Sequence, residues 1–198
     1  MPLTTTGKNN LIGVTSYTHA GAYTDLGVTE VTGGSYARQS IAWAAASGGT
    51  RTNSAQISIP IPAGTTVQAV GVWDASTAGT SQGFWQIGST LRGAGTVTAS
   101  TDTFSSFGHG LAADDRVFFT GVGGEALPAG LSATVLYFVR STGLTADAFT
   151  VSTTSGGAAV NVTGLNEFAW FRTVPETFAS AGNLIIASGA LDMDATFA

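Results

Sequence analysis

A chain of 198 residues with a net charge of −5 and a single lysine, Lys8, lacks the clustered cations that nucleic acid or an anionic membrane surface requires. Only 10% of its residues are charged, against about a quarter in ordinary domains, and 27 are glycine. Such a surface is covered by Thr, Ser, Gly and Asn and suits a protein packed into an assembly or exposed outside a cell. The absence of cysteine excludes a disulfide framework and a thiolate metal site.

In chain order, residues 4–14 carry the one helix start, with Thr4, Thr5 or Thr6 as N-cap and Leu11, Ile12 and Val14 as an apolar side. Gly7 and Gly13 keep it short. Residues 1–8 lack the charged start and apolar centre of a signal peptide, and no run approaches a membrane span. The expectation is synthesis in a cytoplasm without general secretory export. Residues 16–32 have no sustained period and predict a long loop.

At Gly33 and Gly34 a turn opens into an alternating, aromatic-ended stretch, with Ile41 and Trp43 on one face and Arg38 and Ser40 on the other. The same grammar predicts strands over 35–44, 54–61, 66–74 and 82–88, separated by turns such as Pro62-Ala-Gly64. Pro60 cannot donate to a ladder, which assigns its segment to an edge or a strand end. A second strand-rich unit begins at Gly93-Ala-Gly95, with strands expected at 96–100, 116–120, 135–141, 149–153 and 160–163. A turn after every short apolar run indicates an antiparallel all-β protein.

The motifs Gly7-Lys-Asn9, Gly33-Gly-Ser-Tyr-Ala-Arg-Gln39, Pro62-Ala-Gly-Thr-Thr66, Val70-Gly-Val-Trp73 and Pro175-Glu-Thr-Phe178 together resemble small tail fibre or minor tail proteins of phages of actinobacteria. The resemblance covers residues 1–92 and 173–198 and implies a virion component. Between them, Phe107-Gly-His-Gly-Leu111, Asp115-Arg-Val-Phe118, Leu127-Pro-Ala-Gly-Leu131 and Tyr137-Phe-Val139 resemble a small β module that recurs in phage tail and adhesin sequences. The pattern stops and resumes, which predicts an antiparallel β-sandwich host domain, residues 1–92 plus 173–198. A small β-barrel-like domain, residues 93–172, is inserted near its C-terminal strand. Insertions are tolerated at loop tips where the chain ends lie close together.

No catalytic constellation emerges. His19 lies in a polar stretch and His109 between two glycines, and neither has a nucleophile at triad spacing. Gly33-Gly-Ser-Tyr-Ala37 lacks the last glycine of a nucleophile elbow, and Gly121-Val-Gly-Gly124 lacks the helix that a phosphate loop requires. Asp192 and Asp194 fall on one face of an extended strand, where a hard cation such as calcium would find oxygen ligands. Asp114 and Asp115 are a second acidic pair, and for both pairs solvated strand ends are the plainer reading. Asp74, Glu125 and Glu176 are not brought to a glycosidase separation by anything in the sequence. Trp43, Trp73 and Trp85 read as core, and Trp170 as open to a junction or contact role. No catalytic, cofactor-binding or metal site is therefore assigned.

These features imply a non-enzymatic virion component, in the tail or as a capsid decoration, assembled in the bacterial cytoplasm. Its expected partners are other virion proteins and further copies of itself, most simply in a homotrimer, with no nucleic acid and no membrane. A carbohydrate-binding module that recognises the host cell wall through the insert stands as the alternative.

Overall fold

The computed structural model describes residues 4–13, 15–123 and 125–194. The readings that fall on residues 1–3, Val14 and Gly124 lie outside them, as do the side chains of Leu11 and Asp194. The protein is nearly all β, built from antiparallel sheets, one of them a nearly closed barrel. It forms two compact units, Met1–Trp85 with Thr177–Ala198 and Gln86–Glu176.

The first unit begins with helix α1 (Thr5–Ile12), whose first turn closes on the Thr4 carbonyl. Its main sheet contains β1 (His19–Tyr23), β2 (Gln39–Ser40), β6 (Ala69–Trp73) and β7 (Ser81–Gln86) in the order β2-β1-β6-β7. β1 is a central strand where the sequence predicted loop. Ala20, Gly21 and Ala22 are small and buried on both faces, so the strand carries no alternation to read. Gly21 pairs with Gly71 of β6. A Cβ on Gly71 would lie 2.2 Å from the Tyr23 ring, so the bare backbone there gives Tyr23 the room to stack on Trp73 at 5.8 Å.

The strand expected over 35–44 is paired with β1 only at Gln39–Ser40. Beyond it the chain changes partner: Ile41 still donates to Thr18, but Ala44 donates to Thr52, and Ser54 donates to Ala42. The C-terminal chain returns along the first half of the unit in three short ladders. β15 (Glu176–Phe178) pairs β5 (Thr65–Val67), β16 (Gly182–Ile186) pairs β4 (Ile57–Ile61), and β17 (Asp192–Asp194) pairs β3 (Thr50–Thr52). Pro60 sits opposite Asn183 in a two-stranded ladder, where its missing donor leaves no sheet interior unpaired.

Asn53 fastens this return. It is fully buried, its Nδ2 donates to the Ala55 and Ala187 carbonyls at 2.8 Å each, and its Oδ1 accepts from Leu191 N–H at 2.9 Å. An Asn53→Ala variant leaves these groups buried without partners, and a loss of about 2–3 kcal/mol is expected in urea unfolding. Beside it, Ile12 and Met193 pack with Tyr17, Trp43 and Trp85, and Arg51 Nη1 donates to the Ile12 carbonyl at the C-terminal end of α1. Trp43 is half-buried here, its indole N–H bound to the Tyr17 carbonyl and its ring under the Arg51 guanidinium.

The second unit is a seven-stranded antiparallel sheet. Its strands are β8 (Arg92–Thr98), β9 (Thr103–Ser105), β10 (Arg116–Gly121), β11 (Tyr137–Val139), β12 (Ala148–Phe149), β13 (Val151–Ser152) and β14 (Phe168–Thr173). Their order is β12-β9-β8-β14-β10-β11-β13. The interior is aromatic: Phe104 stacks on Phe119 and Phe149 at 5.1 and 5.4 Å and meets Phe168 edge-on. Trp170 belongs to this core, at 1% exposure, with its N–H bound to Ser106 Oγ at 2.9 Å. The contact role anticipated for it is overturned, because alternation along β14 turns Phe168 and Trp170 inward together. Gly93 and Gly95 lie within β8, where a Cβ on Gly93 would meet the Trp170 ring at 2.8 Å. No strand forms over 160–163. The backbone N–H groups of Val160, Val162 and Thr163 go to three different partners, Val151, Asp102 and Ala129.

Candidate functional site

The Val31–Trp43 stretch that organises the sequence also supplies Arg38, which pairs with Glu30 just before it. Gly33 and Gly34, at φ +88° and +56°, turn the chain back so that Tyr36 N–H bonds the Gly33 carbonyl. Tyr36 and Arg38, two apart, then project the same way. Arg38 Nε donates to Glu30 Oε1 at 2.6 Å and Nη2 to Oε2 at 2.7 Å, a two-point carboxylate contact. Nη1 donates to the carbonyls of Ala75 and Ala78, and the guanidinium lies 3.4 Å from the centre of the Trp73 ring. Tyr36 Oη donates to Glu30 Oε1 at 2.8 Å and accepts from Ala22 N–H at 3.0 Å.

The Arg38 side chain is 7% exposed and that of Glu30 21%. Arg38 keeps the face opposite Ile41 that alternation gives it, but that face is covered: the guanidinium folds under residues 75–78. Those residues are held in a conformation that includes Ala78 at φ +53°, an uncommon angle for a side-chain-bearing residue. Asp74 Oδ1 closes the same turn by accepting from Thr80 N–H at 2.7 Å. Glu30, Val31, Tyr36, Arg38, Thr77 and Ala78 face one open groove of about 370 Å³.

The electrostatics follow from the geometry. Burial works against ionisation of Glu30, but the hydrogen bonds from Arg38 and Tyr36 and the Arg38 charge outweigh it and hold the carboxyl below its ordinary range. Burial, reinforced by Glu30, pushes the Tyr36 phenol above its ordinary value. The hydrogen bond to Glu30 raises Arg38 further still. A carboxyl held low contributes stability that is present above the unfolded-state value and lost as pH falls through the folded one. A phenol held high contributes below the unfolded-state value and loses it as pH rises through the folded one. Urea midpoints of the first unit should therefore fall below about pH 4.3 and above about pH 10. Glu30→Gln should shrink the acid limb to the part contributed by Asp25, whose burial is outweighed by the Thr29 and Val28 hydrogen bonds that hold it low, while the alkaline limb set by the burial of Tyr36 remains.

The other candidates are dispersed. His19 opens β1 instead of lying in a loop, and its Nδ1 is 2.8 Å from Thr18 Oγ1. His109 is 3% exposed in the second unit, with Nδ1 accepting from Leu111 N–H, which leaves the proton on Nε2 toward the Ala148 carbonyl. Asp115 is not a solvated strand end: its side chain is 13% exposed, paired to Arg172 at 2.7 Å and bonded to Ala112 N–H. Asp114 accepts from Ser155 Oγ. The Asp192 side chain is exposed while Met193 faces the core. Glu125 and Glu176 are exposed. Among the described residues, no three His, Asp or Glu side chains come together as metal ligands. Trp73 and Trp85, read as core, are half-buried like Trp43, and Trp85 N–H bonds the Asp192 carbonyl. The Glu30–Tyr36–Arg38 cluster was missed as a site; its only signal was an Arg and a Glu eight residues apart around a tyrosine in a charge-poor chain.

Residues 12–105 match the family model described as podophage GP4 fiber I protein gp80. The matched segment contains Glu30, Tyr36, Arg38 and Trp73. No curated protein and no solved structure matches the chain. The family similarity supports a phage tail-fibre-like, structural virion protein.

Proposed function

We propose that this chain is a non-enzymatic, tail-fibre-like or minor tail component of a tailed phage virion, of the kind carried by phages of actinobacteria. It docks onto other virion proteins through residues 1–92 with 173–198 and displays residues 93–172 outward. The observation that carries this reading is the match of residues 12–105 to a podophage fibre family. The charge-poor composition and the many Ser, Thr and Gly residues, which let β surfaces approach closely, support assembly with further copies, and a trimer suits a fibre.

Epitope insertion tests the docking and display. Tags placed at Gly123 or Gly156, exposed positions of the second unit, should be reached by antibody on intact particles, and a tag near Lys8 should be hidden. The reverse pattern overturns the orientation. Light scattering of the purified chain at micromolar concentration should give a trimer mass, and a strictly monomeric mass refutes the oligomer. Replacing residues 93–171 by a short Gly/Ser linker should leave the remaining chain folded by circular dichroism, since loop closure depends only logarithmically on length.

A further inference from the structure

We propose that the groove above the Arg38–Glu30 pair binds a neutral, hydroxyl-rich ligand, a saccharide unit. Its size is within the roughly 300–1,000 Å³ usual for small-molecule sites. Its lining carries two charges, Glu30 and Arg38, and they neutralise each other, so an anionic or cationic ligand gains nothing from the floor. What the floor retains is a fixed donor beside a fixed acceptor. Four of the five Arg38 N–H groups are committed, to Glu30 twice and to the carbonyls of Ala75 and Ala78. One Nη2–H remains without a hydrogen-bond partner among the described residues, next to Glu30 Oε2, which accepts a single bond. An adjacent N–H and carboxylate oxygen match a vicinal diol, whose hydroxyls each donate and accept.

The walls have the same character. Thr32, Ser76 and Thr77 line the groove, and their hydroxyls make no hydrogen bond within the described residues. The wall at residues 76–78 is held in place by Arg38 and includes the strained Ala78, so the donors and acceptors are positioned before any ligand arrives. This site is lined by residues of the first unit alone, and the inference stands whether or not the chain is a virion component.

The experiment is a calorimetric titration of the full chain with neutral oligosaccharides of glucose, galactose, mannose, arabinose and N-acetylglucosamine, and with a polygalacturonate oligomer as the charged comparison. Saturable binding of at least one neutral member is expected, at least tenfold weaker in a Ser76→Leu/Thr77→Leu variant. That variant narrows the groove and removes two hydroxyls, both on exposed residues and outside every hydrogen bond that holds the fold, so its melting temperature should equal that of the wild-type chain. Failure of every neutral member to bind overturns the proposal. So does binding that the double variant leaves unchanged, or a preference for the uronate.

Discussion

Replacing Trp170 by alanine is expected to destabilise the second unit by about 3–5 kcal/mol, the cost of truncating a fully buried indole in a core that cannot collapse around it. The side chain meets Phe149 at 6.1 Å and His109 at 6.5 Å, both edge-on, and its N–H donates to Ser106 Oγ, whose own O–H donates to the Ala94 carbonyl. The variant leaves both a cavity and an incomplete polar chain. Calorimetry should show the transition of this unit shifted down by many degrees. A shift worth less than about 1 kcal/mol would return Trp170 to the junction or contact role that its place in Phe168-Ala-Trp-Phe171 suggested.

Arg38→Met is the counterpart in the first unit and is also expected to cost about 3–5 kcal/mol, because it strands Glu30 in a partly desolvated position. The Ala75 and Ala78 carbonyls lose their donor and Trp73 loses the cation over its ring. Adding Glu30→Gln should recover part of the loss, since the double variant no longer holds an uncompensated carboxylate. A double-mutant cycle in urea measures this coupling. Additive losses would mean that the pair is held by the surrounding turns and contributes nothing itself.

How much of this was legible depended on whether an element displays its pattern in its own side chains. β4, with Ile57, Ile59 and Ile61 turned inward, shows period-2 alternation, and β10 is a short apolar run, Val117-Phe-Phe119, that stops before Gly121; both were found. β1 was lost because Ala20-Gly-Ala22 is buried on both faces and its bare Gly21 receives Tyr36 and Trp73. Trp170 was misplaced because its neighbours Phe168 and Phe171 made the whole segment look apolar, and only the pairing of β14 between β8 and β10 decides which of them face inward. The Arg38 site was invisible for a different reason. Alternation correctly put Arg38 opposite Ile41, but what covers it are residues 75–78, more than 35 positions away, and their carbonyls leave no side-chain signature.

The reading of the chain as a phage structural component is tested most directly by quantitative mass spectrometry of purified particles that encode it. Tens of copies per particle are expected for a tail or fibre protein, and hundreds would move it to the capsid as a decoration. Its absence from particles, with the chain recovered only in the soluble lysate, would contradict the virion assignment itself.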